Sequence, residues 1–231
     1  YARNAGSQIS DTEKIWLRAK KTIPGGNSLL SKNPEIFMNK GWPTYFLKAK
    51  DYKVWDINNK MYLDAIMTPG TNLLGYSNNE INKKVINSIN KSNMSTFNAV
   101  EEVELAEKLI SIHSWAGMAK FAKTGGEANT IAIRIARAAS GKDKIAFCGY
   151  HGWHDWYLSA NIKNKNSLNS HLLPGLDTQG VPYNLKNSIF SFKYNDFNGL
   201  KKLINKEKEI GIVMMEVVRN VQPENNFLKK I

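Results

Sequence analysis

From residue 79 onward the chain alternates between helical periodicity and short apolar runs, and this alternation limits the possible folds more than any other feature. Ile81, Val85, Ile86 and Ile89 share one face of a helix predicted over 79–90, and Val103, Leu105, Ala106, Leu109 and Ile110 do so over 100–112. Buried-type strands are predicted at 119–122, 144–148, 188–192 and 211–215, with helices at 127–139 and 196–205. Such a pattern predicts an α/β fold with an open, mainly parallel sheet covered by helices on both faces. The 231 residues, 42% of them hydrophobic, suffice for a sizeable core.

Before this alternation the texture differs. Ile15, Trp16 and Ala19, preceded by Ser10 and Asp11 as candidate N-caps, predict a helix over 9–20 that Pro24-Gly25-Gly26 ends. Aromatic and β-branched runs at 45–50, 53–57 and 61–65, joined by Asp51 and Asn58-Asn59, predict a β-meander. The expected division is a small α+β lobe over 1–65 and a larger α/β domain over 66–231. Residues 161–170, rich in Asn and Lys, read as a polar surface loop.

No apolar run approaches the roughly 20 residues needed to cross a membrane, and the first residues carry no signal-type stretch, so a soluble, cytoplasmic protein is expected. Cys148 is the only cysteine, which excludes an intrachain disulfide. The net charge of +12 comes from 27 Lys and 5 Arg spread along the chain without an Arg-rich stripe, so it reads as a solvated surface and nucleic acid is not an expected partner. The chain starts without Met and stops at Phe227-Leu228-Lys229-Lys230-Ile231, which resembles the opening of an amphipathic helix, so both ends read as cut.

Two local features carry chemistry. Thr124-Gly125-Gly126 lies between a predicted strand and a predicted helix, where backbone N–H groups suit a phosphate, although glycines also serve a plain strand-to-helix turn. Tyr150-His151-Gly152-Trp153-His154-Asp155-Trp156 directly follows the 144–148 strand. Ligands of open α/β sheets gather beyond the carboxyl ends of strands, so the two segments should lie side by side and suit a flat ring bearing a phosphate. Tyr150 and His151 are expected to touch that ligand, and His154 and Trp156 to plug the sheet edge. Gly152 weakens any helix that would align His151 with His154, so no metal site is expected.

These segments resemble class III, pyridoxal-phosphate-dependent aminotransferases. Thr124-Gly125-Gly126-Glu127-Ala128 is similar to the family's Ser-Gly-Thr/Ser-Glu-Ala phosphate turn, and the 150–155 stretch matches its Tyr-His-Gly-Trp-His-Asp nearly letter for letter. Ile23-Pro24-Gly25-Gly26, Val54-Trp55-Asp56, Leu74-Gly75-Tyr76 and Met215-Glu216 follow in the family's order, with most likeness to the glutamate-1-semialdehyde aminomutase branch. The resemblance implies a truncated fold-type I transferase that binds pyridoxal 5'-phosphate. Thr124, Gly125 and Gly126 would meet its phosphate, Tyr150 would stack on the ring with His151 nearby, Glu216 would face the cofactor, and Asn220 would reach the ring hydroxyl. It also implies a homodimer acting on small amine and carbonyl substrates.

Several positions depart from the family. Gly126 stands where Ser or Thr is usual, and Val217 where Pro is usual. On the substrate side Ser28 matches, but Ser31 replaces an arginine and Pro69 an active-site tryptophan, and Lys32 cannot copy arginine's bidentate grip on a carboxylate. An aminotransferase is therefore preferred over the aminomutase. The lysine that forms the Schiff base, and the Asp that pairs with the pyridine nitrogen, are expected beyond Ile231, so this chain supplies no catalytic residue and is expected to be inactive alone. A short, non-catalytic binder of phosphate ligands is the rival of another class.

Overall fold

The computed structural model describes residues 9–39, 41–68, 70–169, 177–218 and 220–231. They form two compact units, one ending at Val100 and one running from Glu101 to Ile231.

In the N-terminal unit, helix α1 (Asp11–Thr22) has Ser10, of the two candidates, as its N-cap. The Ser10 hydroxyl accepts the Glu13 amide at 3.3 Å while the Glu13 carboxylate accepts the Ser10 amide at 2.9 Å, a reciprocal capping box. Trp16 is the buried residue of α1, and its ring lies against Gly26, where any side chain would collide with it. Its indole N–H donates to Glu35 at 2.8 Å, just after Asn33 caps the short α2 (Pro34–Phe37). Strands β1 (Phe46–Lys50), β2 (Lys53–Asp56) and β3 (Met61–Leu63) form the expected antiparallel meander in sequential order. Asp51 and Asn59 take the left-handed conformation at its turns, with φ of 54° and 61°, which Asp and Asn tolerate better than most residues. Helix α3 (Asn79–Lys91) follows, with no residue buried: Ile81, Val85, Ile86 and Ile89 all stay exposed.

After β3 the chain is pinned by Asp64. The Tyr76 hydroxyl donates to Asp64 Oδ2 at 2.6 Å, and the Ile66 and Met67 amides donate to Oδ1 at 2.8 and 3.1 Å. The Tyr76 bond, helped by the two amides against the cost of burial, holds the Asp64 carboxyl below its ordinary value. A depressed carboxylate stabilises the fold above the unfolded pKa and loses that contribution as pH falls through the folded value. Asp64→Asn is therefore expected to lower the melting temperature at pH 7, with the gap to the parent closing below a pH of about 4. Thermal melts across pH 3–7 check this, and a gap independent of pH contradicts it.

In the C-terminal unit, α4 spans Val100–Ile112. The strand expected at 119–122 is not formed: the segment enters no ladder among the described residues. The sheet instead consists of β4 (Lys144–Cys148), β5 (Ile189–Ser191) and β6 (Ile210–Met215), in the order β5-β4-β6. Both pairings are parallel, with Phe147 opposite Ser191 on one side and Met214 on the other. The helices are α5 (Gly125–Ser140), α6 (Asp155–Leu158), α7 (Ala160–Lys163), α8 (Phe197–Lys206) and α9 (Phe227–Lys230).

Side chains alternate across β4, and the core divides accordingly. Ile145 and Phe147 pack with Ile133 of α5 and with Trp156, Tyr157 and Leu168. Ala146 and Cys148 pack on the opposite face with Leu200 of α8, Phe192 and Phe227. All four are apolar because a central parallel strand covered on both faces has no solvent side.

The surface loop expected at 161–170 is met at residues 163–166 and 169, which are exposed, but not at Asn161 and Leu168. Asn161 lies in α7 and is buried at 2% exposure, its Oδ1 accepting the Leu168 amide at 3.0 Å, and Leu168 is itself 1% exposed; Ser170 lies outside the described residues. A buried amide is tolerated when its polar atoms are paired, and Asn161 reads as solvent-facing only if that partner is overlooked.

Candidate functional site

The site is assembled where α5 begins and β4 ends. Helix α5 starts two residues before the expected 127, taking Gly125 and Gly126 into its first turn. Thr124 is the N-cap: its hydroxyl accepts the Glu127 amide at 3.2 Å, and Glu127 Oε2 accepts the amides of Lys123 and Thr124 at 3.0 and 2.9 Å. The capping box thus occupies the amides flanking the two glycines. Those of Gly125 and Gly126 belong to the first turn, where a helix supplies no acceptor of its own. A Cβ built on Gly125 meets nothing within 4 Å, so this end of α5 faces open space. Aligned donors at the positive end of a helix dipole suit an anion.

The second wall is the turn after β4. Gly149 and Gly152 have φ of 99° and 105°, which side-chain-bearing residues rarely adopt. A Cβ on Gly152 would lie 3.0 Å from Gly126 Cα, so this turn and the first turn of α5 touch backbone to backbone, side by side as their positions after the strands suggest. Two consecutive residues of α5 hold the turn in place. Asn129 donates from Nδ2 to the His151 carbonyl at 3.0 Å, and Thr130 Oγ1 accepts the Trp156 indole N–H at 3.1 Å while donating to the Gly126 carbonyl at 2.9 Å. The polar Asn129-Thr130 pair, directly before the apolar Ile131-Ala132-Ile133 run, is the sequence signal for this tether.

Tyr150 is half-buried and meets Tyr157 edge-on, with centroids 5.9 Å apart. His151 is buried at 4% exposure, and its Nε2 lies 3.0 Å from the Cys148 carbonyl; a carbonyl only accepts, so Nε2 carries the proton. Trp156, expected to plug the sheet edge, is buried in the core cluster with Ile145 and Phe147 of the central strand, whereas His154 is half-buried and packs on Gly126. Tyr157, which the sequence alone did not single out, donates its hydroxyl to the Gly149 carbonyl at 2.9 Å.

Glu216 enters from β6. Its amide donates to the Cys148 carbonyl at 3.1 Å, and its half-buried side chain lies across Gly149, with Oε2 2.6 Å from where a Cβ would stand. Asn220 is exposed beyond the same strand. The structure therefore gathers Thr124, Gly125, Gly126, Tyr150, His151 and Glu216 around the carboxyl end of β4. Ser28 is exposed in the N-terminal unit, and Pro69 lies outside the described residues. Donors for an anion, a half-buried phenol ring and a carboxylate in one place suit a phosphorylated, polar aromatic ligand.

Comparison with known proteins gives this geometry a context. A family model described as Aminotransferase class-III matches residues 38–225. The 3-aminobutyryl-CoA aminotransferase of Cloacimonas acidaminovorans is 33% identical over 214 residues, covering 91% of this chain and 47% of that protein. A glutamate-1-semialdehyde 2,1-aminomutase of Methanothrix thermoacetophila is 30% identical over 217 residues, covering 93% and 48%. Among solved structures, an omega-transaminase from Sphaerobacter thermophilus superposes with a TM-score of 0.81 at 23% identity, over 97% of this chain and 52% of that one. A transaminase with PLP bound gives 0.80 at 22% identity, over 96% and 52%. The chain spans about half the length of the curated relatives it matches.

Proposed function

Because the chain belongs to the class-III aminotransferase family, we propose that the whole protein moves an amino group between a primary amine and a carbonyl compound, with pyridoxal 5'-phosphate as cofactor. The observation that carries this reading is the backbone contact between the first turn of α5 and the 149–156 turn, which sets a phosphate-type cradle beside Tyr150 and Glu216. Pyridoxal phosphate, when bound, supplies an aldehyde that captures amines and a ring that withdraws electrons. The chain's own residues would hold it. The amides of Gly125 and Gly126 receive the phosphate, with Thr124 fixing the helix start. Tyr150 offers its ring face, His151 braces the turn through Cys148, and Glu216 and Asn220 supply polar groups toward the ring. Residues 1–65 would then belong to a small domain and 66–231 to the cofactor-binding domain.

A cytoplasmic homodimer fits the same reading. Among the described residues no helix is long and apolar enough to cross a membrane. Trp115 and Met118 of the C-terminal unit are 84% and 91% exposed, apolar surface of the kind that association covers.

The aminomutase is the second reading, favoured by the relatives of that name at about 30% identity and opposed by Ser31 and Pro69 in place of the arginine and tryptophan expected for it. Whole protein supplied with pyridoxal phosphate separates the two. The proposal expects a new amine from a carbonyl acceptor only when a separate amine donor is present. Conversion of glutamate-1-semialdehyde with no second substrate supports the aminomutase instead, and absence of both reactions with cofactor tightly held supports a binding protein.

A further inference from the structure

His154 occupies the N-cap of α6, a position where a side chain commonly accepts the helix's first amides. Its backbone carbonyl does accept the Tyr157 and Leu158 amides, at 2.9 and 3.0 Å, but its side chain makes no capping bond. Nor do its ring nitrogens have any hydrogen-bond partner among the described residues, although the side chain is half-buried. The ring turns instead onto the first turn of α5, with Nε2 and Cδ2 2.9 and 2.8 Å from the point where a Cβ on Gly126 would stand, and Trp153 lies beside it with ring centroids 5.0 Å apart. The imidazole and any side chain at position 126 compete for one volume, and glycine leaves that volume to the imidazole.

We propose that His154 is a phosphate-binding residue: its Nε2–H adds a side-chain donor to the backbone donors of Gly125 and Gly126, at the edge of the cradle that Gly126 leaves open. This rests on the cofactor reading above and assigns a role to a residue otherwise read as filling the sheet edge. A ring N–H with no partner among the described residues can turn to an arriving phosphate, and a charged acceptor makes that bond stronger than a neutral one would.

The test compares dissociation constants for pyridoxal 5'-phosphate and for pyridoxal, which lacks the phosphate, in the whole protein and in its His154→Ala and His154→Gln variants. The constant for pyridoxal divided by that for pyridoxal 5'-phosphate isolates the phosphate contribution from ring contacts and from general loosening. The expected result is a ratio reduced about tenfold in His154→Ala and largely restored in His154→Gln, whose terminal amide also offers an N–H. The proposal is overturned by an unchanged ratio in His154→Ala, by equal weakening of both ligands, or by a His154→Gln variant no better than the alanine. A parent protein that binds the two ligands equally overturns the cradle reading itself, a different outcome from a parent that discriminates and a His154→Ala variant that discriminates as well.

Discussion

Gly149→Ala is expected to destabilise the protein by roughly 2–4 kcal/mol and to displace Glu216. Two separate effects contribute. A φ of 99° is strained for alanine, and the new methyl would lie 2.6 Å from Glu216 Oε2 and 2.8 Å from its Cγ. Relief of the clash by Glu216 swinging away would remove the carboxylate from the site rather than collapse the strand. The double variant Gly149→Ala/Glu216→Ala separates the effects, because removing the side chain relieves the clash and leaves the backbone strain. Urea unfolding of parent, single and double variants should give a coupling of about 1 kcal/mol. Strict additivity would mean that Glu216 does not rest on Gly149.

Tyr157→Ala should cost more, about 3–5 kcal/mol, since a fully buried aromatic leaves a cavity that its neighbours cannot close. Tyr157 is 1% exposed and meets Phe147 at 5.3 Å, Trp156 at 5.7 Å, and Tyr150 and His151 at 5.9 Å, so it is the common neighbour of β4, the turn and α6. Tyr157→Phe keeps that packing and removes only the bond to the Gly149 carbonyl, a loss of about 1 kcal/mol. Equilibrium unfolding of the two variants distinguishes packing from hydrogen bonding. If phenylalanine proves as damaging as alanine, the hydroxyl rather than the ring holds the turn.

How far the sequence carries the reading depends on the range of the interaction. The spans of α4 and β4 agree with the periodicity residue for residue, because apolar spacing and strand-type residues are local signals. The start of α5 does not, since glycine reads as a helix breaker and only the Thr124–Glu127 capping box shows that the helix has already begun. Residues 119–122 have the composition of a strand, but composition does not say whether a partner strand lies alongside, and among the described residues none does. Asn161 and Leu168 go inward through a bond between them that no periodicity announces. At the site, the two motifs and their adjacency are legible from the rule that ligands lie beyond strand ends. The tether through Asn129 and Thr130 and the turning of His154 onto Gly126 depend on contacts more than twenty residues apart in sequence.

The order of the parallel sheet also sets a timetable for synthesis. The N-terminal meander pairs each strand with the next, so its contacts form as soon as a few further residues emerge from the ribosome. Strand β4 has no such neighbour: Ile145 must wait for Ile189, and then for Ile212, 67 residues after Ile145 itself. At translation speeds of roughly 5–20 residues per second, the last partner arrives some 3–13 s after the strand itself. During that interval Ile145, Ala146 and Phe147, the least exposed residues of the finished sheet, are bare on a nascent chain, and this is the segment that a chaperone acting during translation would be expected to cover.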